Sequence, residues 1–385
     1  MSMGTTRISV GIASTLFGSA LIVAIASAQS PAPAKVLMAE DVFKNVQALK
    51  GIPADDFMAT MGLMSAALGF DCDSCHERAG TDNVAWEKDT PNKVMARKMV
   101  LMVQAINKDN FRGRQMVTCF TCHRNRDIPL VTPNLDDWYG ETVQTLDDVV
   151  APATGGPTVD QILGKYMQAL GGEQKARALT SFVAQGSGSG FGGFGGNTRV
   201  ELMAQFPDKR ATYITYPDDP KRGDSTRTFD GHTGWLTTPL AVVHKYELTG
   251  SELDGAKVDA ELSFPYQIKT ALTNLHVGPV ATIKDQDVQI LQGTGPRGMI
   301  VTLYFDKTSG LLTRTVRYGR SPIGRLPTQI DYADYRDVNG LRLPFRLTFS
   351  WLDGRDTFQL TSIDVNAKID PAKFGEPKAT QQSGK

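Results

Sequence analysis

The chain holds four cysteines, and all of them fall in two copies of one short pattern: Cys72-Asp73-Ser74-Cys75-His76 and Cys119-Phe120-Thr121-Cys122-His123. Two thiols three residues apart can reach the two vinyl groups of a single porphyrin. A histidine directly after the second thiol can then face the iron. This is the attachment pattern of c-type haem, so the expected cofactors are two covalently bound haem c. A four-thiolate zinc site would place its pairs about 15–20 residues apart and would leave both histidines unexplained. A thioredoxin-like redox pair needs a βαβ setting, whereas this region reads as helix and loop. Two disulfides suit an oxidising compartment but call for neither histidine.

An electron-carrying haem iron takes a second axial ligand. Beyond His76 and His123 the chain has only His232, His244 and His276, all in its C-terminal half. Methionine is abundant beside the motifs, and a thioether opposite an imidazole raises the potential of the iron. Phe57, Met61, Met64 and Leu68 recur at i, i+4, i+7 and i+11, one face of a helix. Met95, Met99, Met102 and Ile106 repeat that spacing ahead of the second motif. Met61 and Met99 thus lie on apolar stripes upstream of the two cysteine pairs. Methionine on such a stripe also serves as core filler, so spacing alone leaves Met58, Met64, Met95, Met102 and Met116 open beside them.

Residues 41–130 resemble the first two haem segments of the tetrahaem cytochrome c subunit of bacterial photosynthetic reaction centres. The resemblance is carried by Phe43-Lys44-Asn45-Val46-Gln47, by Phe57-Met58-Ala59-Thr60-Met61, and by Ala96-Arg97-Lys98-Met99-Val100-Leu101-Met102 through Ile106-Asn107. It continues through Val117-Thr118-Cys119-Phe120-Thr121-Cys122-His123-Arg124. It implies that the helix before each motif supplies the axial methionine: Met61 with His76, and Met99 with His123, Met102 being the alternative at the second site. It also implies one-electron transfer in photosynthetic or related respiratory electron transport, between redox-protein partners. Two features depart from the family. Its later two haem segments have no counterpart here, and Lys108 to Gln115 lacks the histidine that the family places there for another haem.

The elements that must position these residues can be read from pattern. Ala39 to Leu49 is compatible with a helix. Pro53-Ala54-Asp55-Asp56 reads as a helix start with acidic residues at the positive end of the dipole, and Gly69 as its stop. The helix bearing Met95 to Ile106 should end near Asn107. Residues 143–157, rich in Asp, Ala, Gly, Pro and Thr, read as a linker. Thr158 then caps a helix with Val159, Ile162, Leu163, Tyr166 and Leu170 on one face, closed by Gly171-Gly172. Beyond it the period shifts towards two, with strands expected at Ile300 to Phe305, Leu311 to Tyr318, Thr328 to Tyr335, Phe345 to Trp351 and Thr357 to Val365. Turn signals such as Asn339-Gly340 and Asp353-Gly354 separate several of them.

The expected fold class is multidomain α + β: an N-terminal α-helical dihaem cytochrome c domain and a C-terminal antiparallel β half-barrel with one or two helices. The expected boundaries are 36–142, a linker at 143–157, the β domain at 158–376 and a frayed tail at 377–385. Val159 to Gly172, Leu303-Tyr304-Phe305-Asp306 with Thr308 to Leu312, and Asp331-Tyr332 through Gly340 resemble outer-membrane lipoprotein-sorting domains. That resemblance implies a module for an apolar ligand, such as a lipid or quinone, or for a partner. The stretch Gly186 to Gly196 lacks the Gly-Lys-Ser/Thr ending of a phosphate loop and reads as a flexible loop between strands, its two phenylalanines available to a partner or a membrane. His232, His244 and His276 read as surface or structural. Asp331 and Asp334, three apart on a strand, should point to opposite faces.

Residues 1–28 read as an export signal: Arg7, an apolar uncharged run to Ile25, then Ala26-Ser27-Ala28 with cleavage before Gln29. The competing reading is an uncleaved anchor helix. The expected location is periplasmic, with room for membrane association. Lys+Arg and Asp+Glu are 41 each, a net charge of +0, which gives no electrostatic reason for a nucleic-acid partner. A hydrophobic fraction of 41% fits a globular chain. Two rivals to a pure electron carrier are a dihaem peroxidase-like enzyme, which needs one open iron position, and a redox-sensing lipid- or quinone-binding module.

Overall fold

The computed structural model describes residues 36–377 apart from 82, 134, 136–138, 141–147, 191–196, 221–222 and 240–242. The expected signal sequence at 1–28 and residues 378–385 lie outside the described residues. The N-terminal segment holds α1 (Ala39–Val42), α2 (Ala54–Leu68), α3 (Pro91–Phe111) and α4 (Cys119–His123). After it come α5 (Val159–Ala169), α6 (Glu173–Ala178) and α7 (Gly250–Glu261), set among thirteen described strands.

The strands are β1 (Ser181–Gly190), β2 (Thr198–Gln205), β3 (Lys209–Thr215), β4 (Ser225–Phe229), β5 (Gly234–Thr237), β6 (Lys245–Glu247) and β7 (Thr273–Ile283). They continue with β8 (Gln286–Thr294), β9 (Ile300–Asp306), β10 (Leu312–Ser321), β11 (Gly324–Val338), β12 (Leu341–Trp351) and β13 (Gly354–Val365). They form one open antiparallel sheet in the order β6-β5-β4-β3-β2-β1-β13-β12-β11-β10-β9-β8-β7. Two meanders run through it. One leaves the centre from β1, the other returns from the far edge, and β1 pairs β13 where they meet. The fold class expected from sequence, helices followed by a large antiparallel sheet, is the one observed.

Local chemistry explains the helix ends. Pro53 precedes α2, Asp55 and Asp56 occupy its first turn, and Gly69 closes it in the left-handed region at φ 69°. A side chain at Gly69 would bring its Cβ to 2.8 Å from the Asn125 carbonyl oxygen, so both the backbone angle and the space require glycine. α3 starts on Thr90, whose hydroxyl accepts from the Lys93 N–H, with proline as its first residue. It runs one turn beyond Asn107 before Arg112 caps it. On α5, Thr158 and Gln161 form a reciprocal capping box.

Two sequence expectations shift. The helix expected over Ala39 to Leu49 is only α1. Phe43 is extended and Asn45 takes φ 61°. The Asn45 amide instead donates to the Glu87 carbonyl and the Asp89 carboxylate, both at 2.8 Å; these contacts outweigh helix propensity. The first half of the glycine-rich stretch is strand rather than loop, because β1 carries through to Gly190. A Cβ at Gly186 would sit 2.2 Å from the Gln359 carbonyl oxygen, where the β1/β13 register shifts. Residues 191–196 of that stretch lie outside the described residues.

α5 lays Ile162, Leu163 and Tyr166 on Leu303, Phe305 and neighbours of the sheet. Each such side chain contributes about 1.5–3 kcal/mol on burial. α7 packs on the sheet with charge as well as apolar surface. Arg317 pairs with Asp259 at 3.1 Å, and Arg227 with Glu252 at 3.0 Å. In the expected linker, Val150 is buried and its N–H donates to Gln292 at 3.1 Å.

The helices α2 and α3 sit directly on the sheet. Leu63 and Val100 share a core cluster with Ile323 and Leu326 of the β10–β11 hairpin, and Leu352 of the β12–β13 turn joins it. At the start of α2 the buried Asp55 carboxylate accepts from both the Thr249 N–H at 2.6 Å and the Thr249 hydroxyl at 2.7 Å. Thr249 is the residue that caps α7, so the two helix starts are tied together.

Candidate haem sites

α3 is the spine of the motif region. Near its start, the Thr90 hydroxyl donates to the Cys75 carbonyl at 2.9 Å, and the Asn92 amide donates to the Ser74 carbonyl at 2.7 Å. Near its end, the buried Asn107 holds the approach to the second motif. Its amide donates to the Val117 carbonyl at 2.7 Å, and its oxygen accepts from the N–H groups of Met116 and Val117, both at 2.9 Å. Both motifs are thereby tied to α3 by polar side chains, the first at Ser74 and Cys75 themselves and the second at Met116 and Val117, just ahead of Cys119. The second is also pinned to α2, where the Asn125 N–H donates to the Ala67 carbonyl at 2.9 Å.

The first motif opens on a cavity of about 420 Å³. α2 contributes Phe57, Met58, Met61, Met64 and Leu68 to its wall, the motif contributes Cys72, Cys75 and His76, and α3 contributes Lys93, Ala96, Arg97 and Val100. Phe43 stacks on Phe57 at 5.0 Å, and Asp353 of the β12–β13 turn completes the lining. The sequence-derived set Met61, Cys72, Cys75 and His76 is thus gathered around one space. The His76 ring packs edge-on to Trp86 at 4.9 Å, and its Nδ1 is buried with no hydrogen-bond partner among the described residues. Burial, with a contribution from Lys93, holds the His76 pKa below the usual imidazole value, while the Trp86 carbonyl opposes the shift. Burial also raises both thiols, Cys72 and Cys75, so they stay protonated.

This donor set fits an iron porphyrin. A neutral imidazole with a buried unpartnered nitrogen, a thioether, two thiols and a mostly apolar wall meet in one cavity. Lys93 and Arg97 are engaged elsewhere: Lys93 Nζ donates to the Trp86 and Lys88 carbonyls, and Arg97 pairs with Asp89 at 2.7 Å.

The second motif forms α4, started by a Thr118/Thr121 capping box. Cys119 is half-buried against the cluster that holds Leu63 and Ile323. Cys122 is exposed. His123 Nδ1 donates to the Arg126 carbonyl at 2.9 Å. That bond places a proton on Nδ1, so Nε2 is the nitrogen a metal would take. The α3 residues lining the first cavity are Lys93, Ala96, Arg97 and Val100, so Met99 and Met102 sit on other faces of the helix. Met99 is half-buried and Met102 exposed. Met95, Met116 and Phe120 are each more than half exposed.

The remaining histidines belong to the sheet. The His232 N–H donates to Asp230 in a turn, His244 is exposed on the segment before β6, and His276 ties β7 to the Val150 carbonyl at 3.1 Å. Asp331 and Asp334 close separate ion pairs, with Arg314 and Arg336, both at 2.6 Å. Asp334 also takes φ 55° at a gap in the β11/β12 pairing, between Ala333 and Tyr335. From sequence, Asn107 reads only as a helix end and Asp353 only as a turn, and Trp86 and Asn92 carry no signal. Thr90-Pro91 carries the signal of a helix start.

Residues 17–149 match the family model described as photosynthetic reaction centre cytochrome C subunit. The chain is 31% identical over 99 residues to the photosynthetic reaction center cytochrome c subunit of Roseobacter denitrificans, covering 24% of this chain and 26% of that protein. It is 32% identical over 96 residues to the subunit of the same name from Thermochromatium tepidum, covering 24% and 22%. The chain thus spans about a quarter of the length of the curated relatives it matches. The resemblance drawn from the motifs is the one these matches find. Among solved structures, the chain is similar to a LolA superfamily protein from Nitrosomonas europaea, at 15% identity and TM-score 0.39 over 57% of this chain and 99% of that one. A putative outer membrane lipoprotein-sorting protein domain from Vibrio parahaemolyticus matches at 12% identity and TM-score 0.37, over 55% and 97%.

Proposed function

We propose that the chain is an exported dihaem c-type cytochrome that passes single electrons. Cys72, Cys75, Cys119 and Cys122 are the covalent anchors, His76 and His123 the proximal ligands, and Met61 and Met99 the opposite axial ligands. The observation that carries this reading is the cavity in which Met61, Cys72, Cys75 and the unpartnered His76 nitrogen meet. When bound, haem would supply a one-electron iron couple whose potential the His/Met pair sets high.

The chain's own residues prepare each site. Burial keeps the His76 imidazole neutral, and Trp86 limits its rotation. Thr90 and Asn92 hold the first motif's backbone against α3, and Asn107 does the same for the second. The Arg126 carbonyl orients His123. Apolar side chains from α2 and the Phe43–Phe57 stack exclude water from the first cavity. A rigid, saturated ligand set suits outer-sphere transfer and disfavours substrate chemistry at iron.

Export rests on the sequence of residues 1–28, and the context is photosynthetic or related respiratory electron transport with redox-protein partners. No helix among the described residues is long and apolar enough to cross a membrane. In this reading the sheet is the module for an apolar ligand or partner; native mass spectrometry of the purified protein showing no retained ligand would remove the ligand arm. Met61→Ala, made in a host competent for cytochrome maturation, tests the ligation. It should turn one haem high-spin in the visible spectrum, whereas an unchanged spectrum would assign the ligand elsewhere.

A further inference from the structure

The two motif segments carry opposite charge. Residues 36–90 hold ten carboxylates against four Lys and Arg, whereas residues 91–131 hold eight Lys and Arg against two carboxylates. In a chain of zero net charge the separation follows the order of the segments, although Lys93 and Arg97 of the second segment line the first cavity. Asp71 and Asp73, both exposed, flank the first cysteine pair. Arg112 and Arg114 precede the second pair, Arg124 and Arg126 follow it, and all four are exposed. None of the four has an ion-pair partner among the described residues, whereas Arg227, Arg314 and Arg336 each close one. Asp127, the one carboxylate from residue 110 to 131, accepts from the Ile128 N–H at 2.7 Å and is outnumbered by the four arginines. Between these arginines Met116 and Phe120 are more than half exposed. An apolar centre inside a rim of unpaired like charge is the arrangement that steers and orients a partner of opposite sign.

We propose that the face around Cys119–His123 is the docking surface for an acidic redox protein, with Arg112, Arg114, Arg124 and Arg126 as its charged rim. The carboxylate-flanked first motif does not take that partner. The inference deepens the electron-carrier reading and rests on it for the partner's being a redox protein.

The test uses the full haem-loaded chain, with poly-L-glutamate as the acidic probe, in a low-salt binding titration. The quadruple variant Arg112→Gln, Arg114→Gln, Arg124→Gln, Arg126→Gln should bind on the order of tenfold more weakly, the sum of several exposed charge pairs. Asp71→Asn with Asp73→Asn should leave affinity unchanged, and added salt should abolish the difference. All six side chains are exposed, so thermal unfolding of each variant should match the parent and confirm folding. Equal affinity of the quadruple variant and the parent would overturn the proposal. So would arginine-dependent binding to phosphatidylglycerol vesicles without binding to poly-L-glutamate, which would make the face a membrane contact. The visible spectrum of the same samples separates the two claims. Colourless protein that still binds poly-L-glutamate through the arginines would remove the carrier reading and keep the acidic-partner surface.

Discussion

Asn107 is the side chain on which the second site most depends without being a ligand. It is 7% exposed, and its amide satisfies three backbone groups: the Met116 N–H, the Val117 N–H and the Val117 carbonyl. Asn107→Ala removes all three bonds at once. A hydrogen bond of this kind contributes about 1 kcal/mol net, and more where the abandoned group stays buried. Val117 is half-buried and Met116 exposed, so water replaces part of the loss. The variant should therefore be destabilised by about 2–3 kcal/mol. The loss should be felt at the second motif, three residues beyond Met116, and not at the first, whose backbone is held by Thr90 and Asn92. Urea unfolding measures the magnitude, and the spectrum measures the locality: one haem should show altered ligation and the other should not. Asn110→Ala is the control, because the Asn110 amide makes only an exposed bond to the Ile106 carbonyl. If Asn107→Ala unfolds at the parent's urea midpoint with both haem signatures intact, α3 is not the clamp of the second site.

Met99→Ala should produce a high-spin species at the second haem while Met102→Ala should not, read from the visible spectrum; the reverse result would move the ligand one turn along α3. Asp56 yields a pH prediction. Burial, with Asp55 and Glu252 nearby, pushes its carboxyl up to about 7. A carboxyl raised in the folded state binds its proton there but not in the unfolded chain between about pH 4 and 7, so stability falls as pH rises through that window. Asp56→Asn should match the parent near pH 4 and exceed it at pH 8 by on the order of 1 kcal/mol after solvent screening, measured as the urea midpoint. Gly69→Ala should cost about 1–2 kcal/mol by the same measurement, because the left-handed angle and the Asn125 carbonyl both oppose a side chain.

What could be read from sequence was what repeats or punctuates. The two Cys-x-x-Cys-His motifs, the apolar stripe through Met61, the Thr158 cap and the strands from Ile300 onward all carry local patterns that the fold keeps. Met61, Cys72, Cys75 and His76 share one cavity because they lie within one helix and the turn after it. Other features depend on partners distant in sequence. Asn45 ends the first helix by reaching residues 87 and 89. Gly186 becomes strand because β13 passes too close for any side chain. Asp353 joins the cavity from a hairpin turn whose signal announced only a turn. Buried polar clamps such as Asn107 have no local signature, since an asparagine near a helix end reads as a stop rather than as a support.

The central claim is that porphyrin is covalently joined at two places. Intact-mass measurement of the protein secreted from a maturation-competent host, alongside its reduced visible spectrum, addresses it directly. The predicted result is a chain beginning at Gln29 with the added mass of two porphyrins, falling by one porphyrin when Cys72→Ala and Cys75→Ala are combined. A colourless protein at the bare polypeptide mass, with four titratable thiols, would contradict it.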